Sequence, residues 1–120
     1  MKKLVIIFAA IAVLAGCQKE SLPNSKWVTS LSDQGYVMEF TSDSDVRIYE
    51  CDSNYNYWDS LQEDTYTKNG NNITFGGAMN YMRYTFNVYK ITSARIDGDV
   101  MTVVATKEDD TEEMTFMRID

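Results

Sequence analysis

From Lys26 onward, apolar and polar residues alternate with a period of two, and no stretch carries an apolar stripe at helical spacing. Tyr36, Met38 and Phe40 alternate with Val37, Glu39 and Thr41, and Val46 and Ile48 follow a Ser42-Asp43-Ser44-Asp45 turn. Tyr66 precedes Lys68-Asn69-Gly70-Asn71, where Asn-Gly favours a tight hairpin, and Ile73 and Phe75 share a face before Gly76-Gly77 breaks the strand. Met82, Tyr84, Phe86 and Val88 form the clearest apolar face, opposed by Arg83, Thr85 and Asn87. Ala94 and Ile96 lead into Asp97-Gly98-Asp99, and Met101, Val103 and Ala105 return from it. After a charged turn from Lys107 to Thr111, Met114, Phe116 and Arg118 finish the chain on one face.

This is a pattern of eight or nine strands spaced by roughly 8 to 12 residues, which suits a β sandwich or an up-and-down barrel. No crossover helix interrupts it, and the short connections favour a meander. The expected fold is therefore all-β, a small antiparallel up-and-down barrel of about eight strands. Residues 52–64 read as a strand, a long loop or both. The proposed inward set is Trp27, Met38, Phe40, Phe75, Met82, Tyr84, Phe86, Met101, Met114 and Phe116. A barrel of eight strands has room for filling side chains or one small ligand, and this set is bulky enough to leave it solid.

Composition excludes several functions. The 120 residues are 44% apolar, enough for one cored domain, and carry a net charge of −7 that disfavours nucleic acid as a partner. The chain has no histidine, so the commonest general base and the commonest zinc ligand are both absent.

The first residues follow a different logic. Lys2 and Lys3 precede an unbroken apolar run from Leu4 to Leu14. That is too short for a spanning helix of about 20 residues but fits the apolar core of a secretory signal, about 7 to 15. The run closes with Leu14-Ala15-Gly16-Cys17, which resembles the lipobox of bacterial lipoproteins. The resemblance implies cleavage after Gly16, a signal peptide at 1–16, and a mature chain that begins with Cys17 acylated by diacylglycerol and palmitate-type chains. Residues 17–25 are then a lipidated tether, and 26–120 the β domain. Loss of two lysines makes the mature chain more acidic still, so it stands off anionic headgroups. Gln18 after the cysteine resembles lipoproteins sorted to the outer membrane. With Cys17 acylated, Cys51 has no intramolecular partner for a disulfide, and the acids Glu50 and Asp52 beside it oppose thiolate formation.

The two ends of the β domain carry a second resemblance. Asn24-Ser25-Lys26-Trp27 opens the first strand and Thr115-Phe116-Met117-Arg118 closes the last. This resembles the calycin arrangement, in which a G-x-W on the first strand meets a cation from the last; here Ser25 stands in place of the Gly. The spacing of Trp27, Phe40, Ile73, Phe75, Ile96, Gly98, Met101, Val103 and Phe116 resembles small lipocalin-like lipoproteins of gut-dwelling Gram-negative anaerobes. The resemblance implies a lipocalin-like barrel closed by Trp27 and Arg118, and binding of a small apolar ligand.

Candidate sites are few. Asn54-Tyr55-Asn56-Tyr57-Trp58-Asp59 interleaves rings with amides and a carboxylate, which suits sugars, whose C–H faces stack on rings while their hydroxyls seek polar groups. Tyr55, Tyr57 and Trp58 are thus candidate ligand residues, with Phe40, Tyr84 and Phe86 as candidates for a site inside the barrel. Asp59-Ser60-Leu61 resembles a short O-glycosylation sequon. The acids at Asp43/Asp45, Asp97/Asp99 and Glu108 to Glu113 lack the ligand pattern of a calcium loop and read as turn-forming. No catalytic residue, metal site or cofactor is expected. The chain reads as an outer-membrane-anchored binding lipoprotein for a small apolar ligand or a glycan fragment. The alternative is a non-catalytic structural or interaction lipoprotein with a filled barrel.

Overall fold

The computed structural model describes residues 21–31, 34–83 and 87–120. These residues form nine strands: β1 (Ser25–Leu31), β2 (Gln34–Phe40), β3 (Asp45–Cys51), β4 (Tyr57–Asn69), β5 (Asn72–Phe75), β6 (Asn80–Arg83), β7 (Asn87–Asp97), β8 (Val100–Lys107) and β9 (Asp110–Arg118). Every pairing is antiparallel. The order β5-β4-β3-β2-β1-β9-β8-β7 returns on itself through a β5–β7 pairing, giving an eight-stranded closed barrel with up-and-down topology. The wall closes where Trp27 faces Arg118 across β1–β9, and again where Ile73 faces Ala94 across β5–β7.

Turn chemistry sets the hairpins. The two-residue connections β4–β5, β7–β8 and β8–β9 each begin with a residue in the left-handed region: Gly70 at φ 64°, Gly98 at 63° and Glu108 at 52°. Such turns match the right-handed twist of the strands they join. Glycine takes that conformation without a Cβ clash, so two of the three positions read directly from sequence.

The alternation packs the inside. Trp27, Met38, Phe40, Met101 and Phe116 are fully buried, and Phe75 and Met114 are nearly so. The Phe40 ring meets Tyr66 edge-on at 4.9 Å and stacks on Phe75 at 6.4 Å, while Tyr66 Oη donates to the Ser42 carbonyl at 2.6 Å. Leu22, ahead of β1, joins the same cluster. Toward the other end the lining turns polar: Tyr36 continues the Met38/Phe40 face, Tyr81 and Tyr89 lie 6.0 Å apart, and Tyr89 Oη donates to Asp110. Burial, then the charge of Glu50 and the neighbouring Tyr81, push the Tyr36 phenol up from its ordinary value.

One expectation changes. The run from Met82 to Val88, read as a single strand, is divided between β6 and β7, which pair antiparallel with Met82 opposite Val88. Val88 is accordingly exposed while Tyr89 is buried. The sequence lacks a Gly or Pro at the reversal, so period two continued unbroken through it. Tyr84 and Phe86 lie outside the described residues, as does Cys17.

Between β6 and the first half of β4 the wall is sewn by side chains. Gln62 Nε2 donates to the Asn80 carbonyl and Gln62 Oε1 accepts from the Asn80 N–H, both at 2.8 Å. Asp64 Oδ2 accepts from the N–H groups of Gly77 and Ala78, each at 3.0 Å.

Candidate functional site

The corner between β3 and β4 departs from regular pairing, and it departs at the candidate aromatics. Cys51 pairs with Tyr57 but Glu50 with Asp59, which leaves Trp58 without a residue opposite. Ile48 then pairs with Gln62, so Tyr49 alone faces both Ser60 and Leu61, and Ser60 sits at φ 61°. Two bulges in succession cancel the alternation of sides. As a result all five residues from Tyr57 to Leu61 are exposed, with Tyr57 at 57% and Trp58 at 67%. Bulges of this kind re-aim side chains at barrel rims.

The loop before β4 is held by its first residue. Asp52 Oδ1 accepts from the N–H groups of Asn54 and Asn56 at 2.8 and 3.0 Å, the Asp52 N–H donates to the Asn56 carbonyl, and the Tyr55 N–H donates to the Asp52 carbonyl. These bonds hold Tyr55 at φ 64°, in a region that a bulky residue rarely enters. Tyr55 is 46% exposed. The residues 52–64 are thus a short ordered loop followed by a bulged strand.

Beneath this corner lies a second apolar cluster, on the outer face of the barrel. Val28, Val37 and Tyr49 stand on one rung across β1, β2 and β3, and Cys51 joins Val37 and Tyr49 in the cluster. Tyr57 rests edge-on against Tyr49 at 5.7 Å, and the Arg47 guanidinium lies 5.9 Å from the Tyr49 ring while pairing with Glu39 at 2.8 Å. Gly35 faces Cys51 across β2–β3, and a Cβ there would come within 2.9 Å of Cys51 Sγ. Burial pushes the Cys51 thiol up, and the charge of Asp52 adds to that.

A groove of about 630 Å³ runs from Val28 and Met117 on the outer faces of β1 and β9 to Tyr55 and Trp58, passing Gln34, Gly35, Cys51 and Asp52. Gln34 Nε2 donates to the Cys51 carbonyl at 2.8 Å, tying β2 to the loop. Two other grooves, of about 590 and 560 Å³, are lined without an aromatic side chain. Among the described residues no three Cys, Asp or Glu side chains are grouped to hold a metal ion.

The structure therefore brings Tyr55, Tyr57 and Trp58 to one corner. It places Phe40 in the packed interior, away from them, and Trp27 with Arg118 at the closure. Val28, Ser30, Gln34, Gly35, Ser53 and Met117 are among the groove residues that sequence reasoning missed. All but Ser53 come from distant strands, and the outward alternation of Val28 and Met117 was their one local signal. Comparisons with known protein families, curated proteins and solved structures yield no match to this chain.

Proposed function

We propose that this chain is a non-catalytic binding module of the cell envelope, anchored to the outer membrane by acylated Cys17 and carrying a lipocalin-like barrel that takes a small apolar molecule or a glycan fragment. The lipobox at 14–17 supports the anchor, because two or more acyl chains hold a protein far more firmly than the marginal binding of one. The observation that carries the binding role is the exposure of Trp58, Tyr57 and Tyr55 together on a corner whose bulges and Asp52 hydrogen bonds fix it. Large exposed rings on a rigid support mark contact sites, since a chain gains nothing for its own stability by showing them to water.

A second reading is favoured by the packing inside. Trp27, Phe40 and Phe116 fill the barrel around β1, β2 and β9, which suits a structural or protein-interaction lipoprotein that works through its outer surface.

Native mass spectrometry of the protein from its own host tests the proposal. An acylated mass that begins at Cys17, with a glycan or small molecule retained, is the expected result. The Cys17→Ala variant is expected in the soluble fraction with its circular dichroism unchanged, and its persistence in membranes contradicts the anchor. A stoichiometric protein partner in place of a small ligand favours the second reading.

A further inference from the structure

We infer that the ligand is an uncharged saccharide, bound outside the barrel in the groove between the outer face of β1 and the Asp52–Asn56 loop, with Trp58 and Tyr55 as its stacking rings. The inference rests on the binding role proposed above and gives that role a site and a substrate class.

Openness is the first argument. Pockets for small apolar molecules bury most of the ligand surface. This groove leaves Trp58 67%, Met117 47% and Tyr55 46% exposed, so an apolar molecule lying in it keeps much of its surface in water. A pyranose needs less enclosure. One C–H face stacks on a flat ring, and its hydroxyls on the opposite side stay solvated.

Charge is the second. No Lys or Arg lines the groove, Asp52 is its one carboxylate, and the chain as a whole carries −7. Uronic acids, phosphorylated glycans and sulfated glycans are repelled by that field with nothing to pair their charge. A second copy of this chain brings the same net charge and is disfavoured for the same reason.

Fixed polar groups are the third. Gln34 is oriented by its bond to the Cys51 carbonyl, which leaves its Oε1 accepting from no described residue. Ser30 and Ser53 add hydroxyls along the same wall, and Asp52 is anchored by two amide donors. Hydroxyl-rich ligands are recognised by such mixed donors and acceptors beside rings. Because Tyr55 and Trp58 are held by backbone hydrogen bonds and bulges, little ordering cost opposes binding.

The test uses the full chain purified in a polyoxyethylene detergent that contains no sugar. It is titrated with neutral oligosaccharides of glucose, mannose and galactose and with acidic oligosaccharides, and the same preparation is inspected by native mass spectrometry for retained apolar molecules. The expected result is binding of one neutral series, weakened at least ten-fold by Trp58→Ala and by Tyr55→Gly, and restored in large part by Trp58→Tyr. Val88→Ala, an exposed change on β7, serves as the control and leaves affinity unaltered. Trp58→Ala, Trp58→Tyr and Val88→Ala are expected to melt like wild type, since Trp58 and Val88 are exposed, and Tyr55→Gly is expected to melt no lower, since glycine takes the φ of 64° there without strain. Neutral binding that survives both ring variants overturns the site. Preference for acidic oligosaccharides, or a retained apolar molecule with no saccharide binding, overturns the substrate class while the binding role stands. A protein partner or self-association through Trp58, with no saccharide bound, overturns the inference in favour of an interaction surface. Absence of any ligand, saccharide or apolar, overturns both the inference and the binding role.

Discussion

The guanidinium of Arg118 lies 5.6 Å from the centroid of the Trp27 ring, across the strand pair that closes the barrel wall. It also pairs with Asp120 at 2.7 Å and donates to the Ser21 carbonyl at 3.0 Å. At the edge of the indole, Trp27 Nε1 donates to Ser25 Oγ at 2.9 Å, and Ser25 Oγ donates in turn to the Leu22 carbonyl. A serine where a glycine is expected thus satisfies a buried indole N–H. Arg118→Met is expected to lower the unfolding free energy by about 1–3 kcal/mol, the sum of a partly desolvated cation–π contact and charged hydrogen bonds. Arg118→Lys should recover only part, lacking the fork that reaches both partners. The penalty should depend on pH. Burial alone would raise the Asp120 carboxyl, but the hydrogen bond and charge of Arg118 bring it below its ordinary value. A carboxyl lowered in the folded state stabilises above its unfolded pKa of about 3.9 and ceases to as pH falls through the folded one. Urea denaturation of wild type and Arg118→Met should therefore differ most at neutral pH and converge in part below about pH 4.

Gly35 and Cys51 form a pair that fits only because one of them has no side chain. Gly35→Ala places a methyl within 2.9 Å of Cys51 Sγ, and overpacking of this kind costs about 1–3 kcal/mol. Cys51→Ala removes the obstructing sulfur. The double variant should therefore be more stable than the sum of the single changes predicts, and a denaturant double-mutant cycle reads that coupling directly.

The Cys51 thiol should resist alkylation. It is buried, and burial followed by the charge of Asp52 holds its pKa above the ordinary thiol value, so little thiolate exists near neutrality. Iodoacetamide labelling of the folded protein at pH 7.5 should run at least ten-fold slower than in urea. Asp52→Asn should speed it by removing the charge, since the amide keeps an Oδ1 to accept the two loop N–H groups.

The seam between β4 and β6 depends on two side chains. Asp64→Ala strips the Gly77 and Ala78 N–H groups of their acceptor and should destabilise by about 1–2 kcal/mol. Hydrogen exchange should accelerate at residues 77–80 while β8 and β9 keep their protection, because the barrel's remaining ladders are backbone to backbone.

Much of the fold was legible in the alternation of Met38 with Phe40, Met101 with Val103 and Met114 with Phe116, and in glycines at Gly70 and Gly98. Period two reports which residues share a face, and each of these lies on the buried one. It does not report where a chain reverses, which is why Met82 to Val88 read as one strand. Nor does it reveal an extra residue in a ladder. The bulges at Trp58 and at Ser60 arise from pairing with β3, a partner that sequence order alone leaves unspecified. Val37 and Tyr49 show a third limit. Alternation assigns them to solvent, but rungs across β1, β2 and β3 stack them with Val28 on the outer face, where they are buried. The aromatic corner was visible as composition, and its shape was not.

Acrylamide quenching of tryptophan fluorescence puts the whole account to the test, because the chain has one tryptophan of each kind: Trp27 fully buried and Trp58 67% exposed. The prediction is two populations, one quenched readily and one barely, with a saturating neutral oligosaccharide protecting only the readily quenched one. Protection that appears in Trp27 alone, or two tryptophans quenched alike, would contradict a closed barrel that binds on its outside.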